Sequence, residues 1–364
     1  MISFEGVAKH YPDGTTAVDQ LSLEVPKGVL TVFVGPSGCG KTTALRMINR
    51  MVEPTSGSIT VDGTDVSTVN PVKLRLGIGY VIQNAGLMPH QRAIDNVATV
   101  PVLKGQSRRS ARNAAYEVLE RVGLSPKVAT RYPAQLSGGE QQRVGVARAL
   151  AADPPILLMD EPFSAVDPMV RHDLQNEILR LQSELHKTVV FVTHDIDEAF
   201  KLGDVVAVFA PGGRLQQYDE PARLLSRPAN EFVSRFIGLG RGYRLLQLID
   251  GAGLWLHDLE CVSVTRLDEW QLPDGWVLVV DDERAPLGWI DTDGLRRHRG
   301  GAALSDVITI VGSVFRPNGN LSQALDAALS SPASIGVAVD GGGKVIGGVR
   351  AADVLTAVQS RRPG

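Results

Sequence analysis

VLTVFVGPSGCGKT, residues 29–42, decides the fold class of this 364-residue chain. The run 29–34 is almost wholly apolar, the pattern of a strand buried on both faces. It leads straight into Gly35-Pro36-Ser37-Gly38-Cys39-Gly40-Lys41-Thr42, which matches G-x-x-x-x-G-K-[ST] at every fixed position. A helical pattern follows at 42–51, with Pro54 to end it. Glycines at 35, 38 and 40 permit a tight loop whose N–H groups point inward. With the following helix N-terminus they form a nest for phosphate oxygens. Lys41 brings a positive charge to the β- and γ-phosphates, and the hydroxyl of Thr42, with Thr43 beside it, suits Mg²⁺. Placement between a buried strand and a helix sets this segment apart from an ordinary glycine turn.

Working outward, a second apolar strand at 156–159 ends in Asp160-Glu161. A carboxylate at that edge can reach Mg²⁺, and the next residue can polarise an attacking water. Asp160 is therefore the expected metal ligand and Glu161 the expected general base. Further strands are expected at 22–25, 58–61 and 188–193, and helices at 107–122, after 136 and at 168–186. Strands alternating with helices predict an α/β fold with a parallel sheet.

Composition sets the outer bounds. The length allows two domains, and 43% hydrophobic residues fit a folded chain. A net charge of −3 argues against a generally basic nucleic-acid binder. The two cysteines are Cys39 and Cys261. A disulfide at Cys39 would obstruct the phosphate loop, so a reducing compartment is expected. No apolar run approaches the roughly 20 residues that span a bilayer, and the first residues lack a signal-peptide core.

Leu136-Ser137-Gly138-Gly139-Glu140-Gln141-Gln142-Arg143 lies between the phosphate loop and the Asp160-Glu161 strand. Ser137 is a helix N-cap candidate, and Gly138 and Gly139 leave the backbone bare, so this helix start also attracts anions. LSGGEQQR resembles the signature motif of the ATP-binding cassette (ABC) family residue for residue. Other residues agree with the resemblance. Gln83, in GYVIQNAGLMPH, resembles the glutamine loop that senses γ-phosphate and Mg²⁺. Ser164-Ala165-Val166-Asp167 resembles the loop crossing the family's dimer interface, usually with Leu where Val166 stands. His194 resembles the switch histidine of the γ-phosphate, and Tyr11 the aromatic residue stacked on adenine.

The resemblance covers about residues 1–236. It implies a nucleotide-binding domain with a β-rich subdomain, a RecA-like core and a helical subdomain. It also implies a head-to-tail homodimer with two ATP molecules and Mg²⁺. Each ATP would lie between one subunit's phosphate loop and the partner's Ser137, Gly138 and Gly139.

The pattern changes near 235–244, where RFIGLGRGYR reads as a linker over 237–245. Residues 246–364 contain an internal repeat. Val280-Asp281, Leu287-Gly288 and Ile290 match Val339-Asp340, Ile346-Gly347 and Val349, 59 residues apart. Each copy reads as strand, turn, strand, helix. Residues 321–329 precede the second copy as an amphipathic helix, and the stretch before the first copy is much less regular. The repeat resembles a tandem of cystathionine-β-synthase-type (CBS) modules, a smaller α+β domain, with the first module degenerate.

The separate-subunit plan resembles that of bacterial importers. IGYVIQNAGLMPH, with Ile82 where many branches have Phe, is similar to the glutamine loop of importers for glycine betaine, proline betaine, choline and carnitine. The resemblance implies an ATPase subunit on the cytoplasmic face of the cell membrane. Its partners would be permease subunits and, indirectly, an extracytoplasmic binding protein. Permease docking is expected near Met88-Pro89-His90 and 93–97, whose apolar residues could equally be core. The tail could take a regulatory nucleotide. Alternatively, Arg296, Arg297, His298, Arg299 and the pair Arg361-Arg362 could meet anionic lipid, or the tail could be only a scaffold. Alternatives for the whole chain are another cargo (amino acid, polyamine or anion), an ABC ATPase acting on nucleic acid or the ribosome, and a non-hydrolysing nucleotide sensor.

Overall fold

The computed structural model describes residues 1–164, 166–271 and 275–361. Ala165, in the interface-loop segment, and Arg362, of the terminal basic pair, lie outside the described residues. Two units are resolved, Met1–Gly238 and Leu239–Gly364. Among the described residues no helix is long and apolar enough to cross a membrane.

The first unit is built around a six-stranded sheet. Its order is Arg214–Asp219, Val205–Ala210, Leu30–Val34, Thr188–Thr193, Ile156–Asp160 and Ile78–Val81. All neighbours are parallel except the Arg214–Asp219 edge, which is antiparallel. Every residue of Leu30–Val34, Ile156–Asp160 and Thr188–Thr193 is buried, which explains their nearly unbroken apolar character. Because the strands run parallel, their C-terminal ends all emerge along one edge. Val34 pairs with Thr193, Val192 with Asp160, and Met159 with Val81. The residues following these strands are Gly35, His194, Glu161 and, one further on, Gln83.

A second, antiparallel sheet is ordered Thr16–Val25, Ile2–His10, Ser56–Val61 and Thr64–Asp65. Phe4, Leu21, Val25 and Ile59 join Phe33, Leu45 and Met47 in one core, so this sheet packs on the phosphate-loop helix. The first strand, Ile2–His10, carried no clear signal because its burial does not alternate strictly.

The helical part comprises Ala93–Leu103, Arg108–Arg121 and Gly138–Leu150. Arg108–Arg121 shows why it forms. The Ser107 hydroxyl accepts the Ser110 N–H at 3.2 Å, and Ala111, Ala115 and Leu119 recur every fourth residue as its buried stripe. In the stretch 93–97, Ala93, Ile94 and Val97 are core, so of the two readings of those apolar residues the structure gives packing. Met88 stays partly exposed.

The second unit contains two three-stranded sheets of identical topology. Cys261–Ser263 pairs parallel with Trp276–Val280, which pairs antiparallel with Pro286–Asp291. Val314–Phe315, Gly336–Val339 and Val345–Val349 repeat this order. The repeat is kept to the hydrogen bond. Asp281 Oδ1 accepts the N–H groups of Glu283 and Ala285, at 2.9 and 2.7 Å. Asp340 Oδ1 accepts those of Gly342 and Lys344, both at 2.9 Å. The halves before each hairpin differ as the sequence suggested. Leu321–Leu329 is an α-helix, whereas Val264–Glu269 is a 3₁₀ turn.

The structure adds detail to two expectations for this region. The division between the units, at Gly238/Leu239, falls within the expected linker 237–245, but part of that segment is helical. Arg241–Leu248 is helical, and its Leu246 packs with Phe315 and Leu321 in the second unit's core. The basic cluster is also bonded within its own unit. Arg296 pairs with Asp293, while Arg297, His298 and Arg299 reach the carbonyls of Asp306, Ala302 and Trp270. Arg361 donates to the carbonyls of Asp250 and Ala252.

Candidate functional site

The edge of the parallel sheet gathers the site. Gly40 is the N-cap of helix Lys41–Ile48 at φ +91°, and a Cβ there would collide with the Ala17 carbonyl. That is why the final loop glycine cannot be replaced by a larger residue. Lys41, 4% exposed, donates from Nζ to the carbonyls of Gly35 (2.8 Å) and Pro36 (2.9 Å). The Pro36 carbonyl also accepts the Cys39 N–H, and Ser37 and Gly38 form the exposed crest. Cys39 is buried, which pushes its thiol up despite the nearby lysine, and both cysteines are free.

Asp160 is the hub of the next layer. Its Oδ1 accepts the Thr42 hydroxyl at 2.7 Å. Its Oδ2 accepts the Tyr80 hydroxyl at 3.2 Å and pairs with Arg46 at 3.3 Å. Burial pushes the Tyr80 phenol up, so it remains a donor. Thr42 and Asp160 present two hard oxygens side by side. Among the described residues there is no group of three or more His, Cys, Asp or Glu that could hold a metal. That donor set fits Mg²⁺, which keeps much of its water and takes one or two protein oxygens together with phosphate oxygens.

Glu161 leaves the sheet at φ +44°, a conformation rare for a residue with a side chain. Its N–H still bonds the Val192 carbonyl at 3.0 Å. The turn delivers its carboxylate to His194, with Oε2 3.1 Å from Nδ1. The Nδ1–H tautomer satisfies this contact and leaves Nε2 with a lone pair. Gln83 Nε2 donates to the same Oε2 at 3.4 Å, which brings Gln83 to the expected base, the residue next to Asp160.

Ser137, Gly138 and Gly139 are arranged differently. Ser137 and Glu140 form a reciprocal capping box, at 3.2 Å and 2.8 Å. Glu140 also faces Arg131 at 3.6 Å. Gly138 is exposed, and Gly139 lies against Val170, where a Cβ would need that side chain to move. Asp167 caps helix Pro168–Leu185 by accepting the Met169 N–H. Tyr11 is part of a turn closed by Thr15 and lies under the Lys9 ammonium, 5.2 Å from the ring centroid. Thr43 is half-buried on the loop helix.

Several functional neighbours had no motif to mark them. Arg46 lies one helical turn after Thr42, a spacing that could have found it. Arg148, on the signature helix, donates to the carbonyls of Ala85 and Gly86, both at 2.6 Å. Buried Asn96 ties the following loop by bonding the Met88 N–H and the carbonyls of Met88, Gln91 and Arg92. These two polar anchors hold the segment after Gln83 in place. Nothing local in the sequence distinguishes them from other helix residues.

A phosphate loop on a buried parallel strand, an acidic pair two strands away and a histidine on the strand between define a P-loop ATPase. The ABC transporter family model matches residues 18–164. The choline transport ATP-binding protein of Bacillus subtilis (strain 168) is 41% identical over 330 residues, covering 86% of each chain. The osmoprotectant import ATP-binding protein of Salmonella typhimurium is 40% identical over 339 residues, covering 91% of this chain and 88% of the relative. A solved dimeric ATP-binding cassette in a post-hydrolysis state with ADP and Pi is 33% identical, with a TM-score of 0.56. The match covers 61% of this chain and 99% of that one. This chain belongs to the ABC transporter ATP-binding protein family and is an ATP-binding ATPase of that kind.

Proposed function

We propose that this chain is the ATP-hydrolysing subunit of an importer for osmoprotectants of the quaternary-amine class: glycine betaine, choline, carnitine or proline betaine. One observation carries the cargo assignment. The 330-residue match to the choline transport protein is longer than the first unit, Met1–Gly238, so the likeness runs on into the second unit. The shared engine alone would not extend so far. The chain acts as a homodimer on membrane permease subunits at the cytoplasmic face, and an extracytoplasmic binding protein supplies the substrate. The second unit is read as a tandem of CBS-type modules, from its duplicated hairpins and its degenerate first helix. In this reading the cassette domain is 1–236, and the second domain is entered through the helix Arg241–Leu248.

The roles at the site follow from its chemistry. The loop N–H groups and Lys41 bind the phosphates, and Tyr11 meets the adenine. Thr42 and Asp160, with Gln83 nearby, would hold Mg²⁺, which neutralises charge on the β- and γ-phosphate oxygens when bound. Glu161 takes a proton from the water that attacks the γ-phosphorus as the bond to the ADP oxygen breaks. His194 keeps that carboxylate oriented. Ser137, Gly138 and Gly139 present their helix N-terminus to the ATP of the partner subunit, and Asp167 stands at that interface.

The test is uptake of labelled glycine betaine, choline and proline by cells with and without the gene, at low and high osmolarity. Uptake of a quaternary amine that is lost on deletion and restored by wild type, but not by Lys41→Ala or Glu161→Gln, supports both engine and cargo. Unchanged uptake of all three refutes the cargo assignment.

A further inference from the structure

Helix Ile196–Leu202 begins just after His194 and carries an acid that the hydrolytic scheme leaves without a role. Glu198 is only 6% exposed. One carboxyl oxygen accepts the Thr193 hydroxyl at 2.5 Å, and the other accepts the Gln175 amide at 3.1 Å. The Thr193 oxygen in turn accepts the Asp195 N–H at 3.0 Å. The backbone is thus tied on both sides of His194, through the residue before it and the residue after it.

The second partner leads elsewhere. Gln175 is also buried and belongs to helix Pro168–Leu185, whose N-cap is Asp167. One turn earlier on that helix, Arg171 reaches the Val166 carbonyl at 3.4 Å and stands 4.0 Å from the Asp195 carboxylate. Glu198, Thr193 and Arg171 line one cavity of about 40 Å³ together with Glu161 and His194.

Capping does not explain Glu198. The helix N-terminus is already capped by Asp195, whose Oδ1 accepts the N–H groups of Asp197 and Glu198. Core packing does not explain it either, because an apolar side chain would fill the same space without the desolvation cost of a carboxyl group. What the carboxylate provides, and an apolar side chain would not, is a hydrogen-bonding partner at each of two fixed positions, one for each of two elements that bear site residues.

We propose that Glu198 is a positioning residue for ATP hydrolysis. Acting through Thr193, it sets His194 against Glu161, and through Gln175 it ties that setting to the helix that starts at Asp167. The proposal rests on the assignment of Glu161 and His194 as the hydrolytic pair.

The test measures ATPase kcat and KM on the purified full-length protein, with thermal melting alongside. Thr193→Val keeps the side-chain shape and removes the hydroxyl, whereas Thr193→Ser keeps the hydroxyl. Glu198→Ala removes both acceptors. Glu198→Gln keeps one, and a turned Gln175 amide can meet its new N–H group. Thr193→Val and Glu198→Ala should lower kcat by roughly tenfold or more with KM within about threefold, since small misplacements at a reacting centre are costly. Thr193→Ser and Glu198→Gln should keep at least about a third of kcat.

Wild-type kcat in folded Thr193→Val, or a serine variant no better than the valine one, overturns the proposal. If Glu198→Ala does not fold, the isosteric threonine pair decides. A Glu161→Gln control separates the two failures. If that control still turns over, the hydrolytic assignment is wrong. If it is dead while Thr193→Val is normal, only this inference falls.

Discussion

Two glycine-bearing helix starts in the first unit invite comparison, at Lys41–Ile48 and at Gly138–Leu150. Both expose N–H groups of the kind that attract anions. Around the first, the fold converges Lys41, Asp160, Tyr80, Glu161, Gln83 and His194 from four different strands or their ends. Around the second, Ser137 and Glu140 satisfy one another, and Arg131 is the charged neighbour. One helix start has the means to do chemistry and the other has only the means to bind. The difference fits the proposed reading, in which the signature helix is half of a site whose other half lies on a second copy.

The largest expected effect tests the chemical half. Glu161→Gln should lower turnover by about two orders of magnitude or more while leaving ATP binding intact. Filter binding beside a phosphate-release assay reads both, and normal release would remove Glu161 from the mechanism.

The next prediction addresses the pairing itself. Lys41→Ala and Ser137→Ala should each be nearly inactive alone. Mixed in equal amounts, they form heterodimers with one complete site, so roughly a quarter of wild-type ATPase should return. A mixture no more active than its two components would mean that the signature helix does not serve a partner's nucleotide.

A smaller effect is expected where the two regions meet in one chain. Arg148 joins the signature helix to the carbonyls of Ala85 and Gly86 beyond Gln83. Arg148→Ala leaves both carbonyls without this charged donor and should cost about 2 kcal/mol in denaturant unfolding. No measurable loss would show that the glutamine loop holds its position without the signature helix.

The smallest concerns pH. Burial is the main cause that holds the Glu198 carboxyl above the ordinary carboxylate range, with Asp195 adding to the shift. The Thr193 and Gln175 hydrogen bonds and nearby Arg171 oppose it. The folded chain therefore takes up this proton before the unfolded chain does. Its contribution to stability grows as pH falls from the raised folded value to the ordinary one, and is lost again as pH rises. Glu198→Gln should flatten that part of the stability–pH curve, and an identical slope in both proteins would contradict the assignment.

How much was legible beforehand depended on the range of the physics involved. Residues 29–42 read correctly because a buried parallel strand, a glycine loop and a helix each leave a local mark. The strand at Thr188–Thr193 likewise shows its burial in its composition. The duplicated hairpins were legible because Asp281 and Asp340 make the same turn bonds to residues two and four places on. The helix Arg241–Leu248, which begins inside the expected linker 237–245, was not legible because the glycines there are local signals, whereas the partners of its Leu246 lie about seventy residues further along. Asn96, Arg148 and Glu198 passed unnoticed for the same reason. Each is an ordinary polar residue on a helix until a loop from elsewhere is brought against it.

The sequence by itself determined the nucleotide chemistry. The phosphate loop, the Asp160-Glu161 pair, the signature and His194 each need particular residue types at short spacing, and short spacing is written in the chain. Only the tertiary structure decided what stands next to what. Parallel pairing of strands that lie far apart in sequence brings Val34, Thr193, Asp160 and Val81 to one edge. It leaves the signature helix with its own cap, in which its first-turn acid, Glu140, is already engaged. Such placement depends on side-chain burial summed over the whole core, which no short stretch of sequence records.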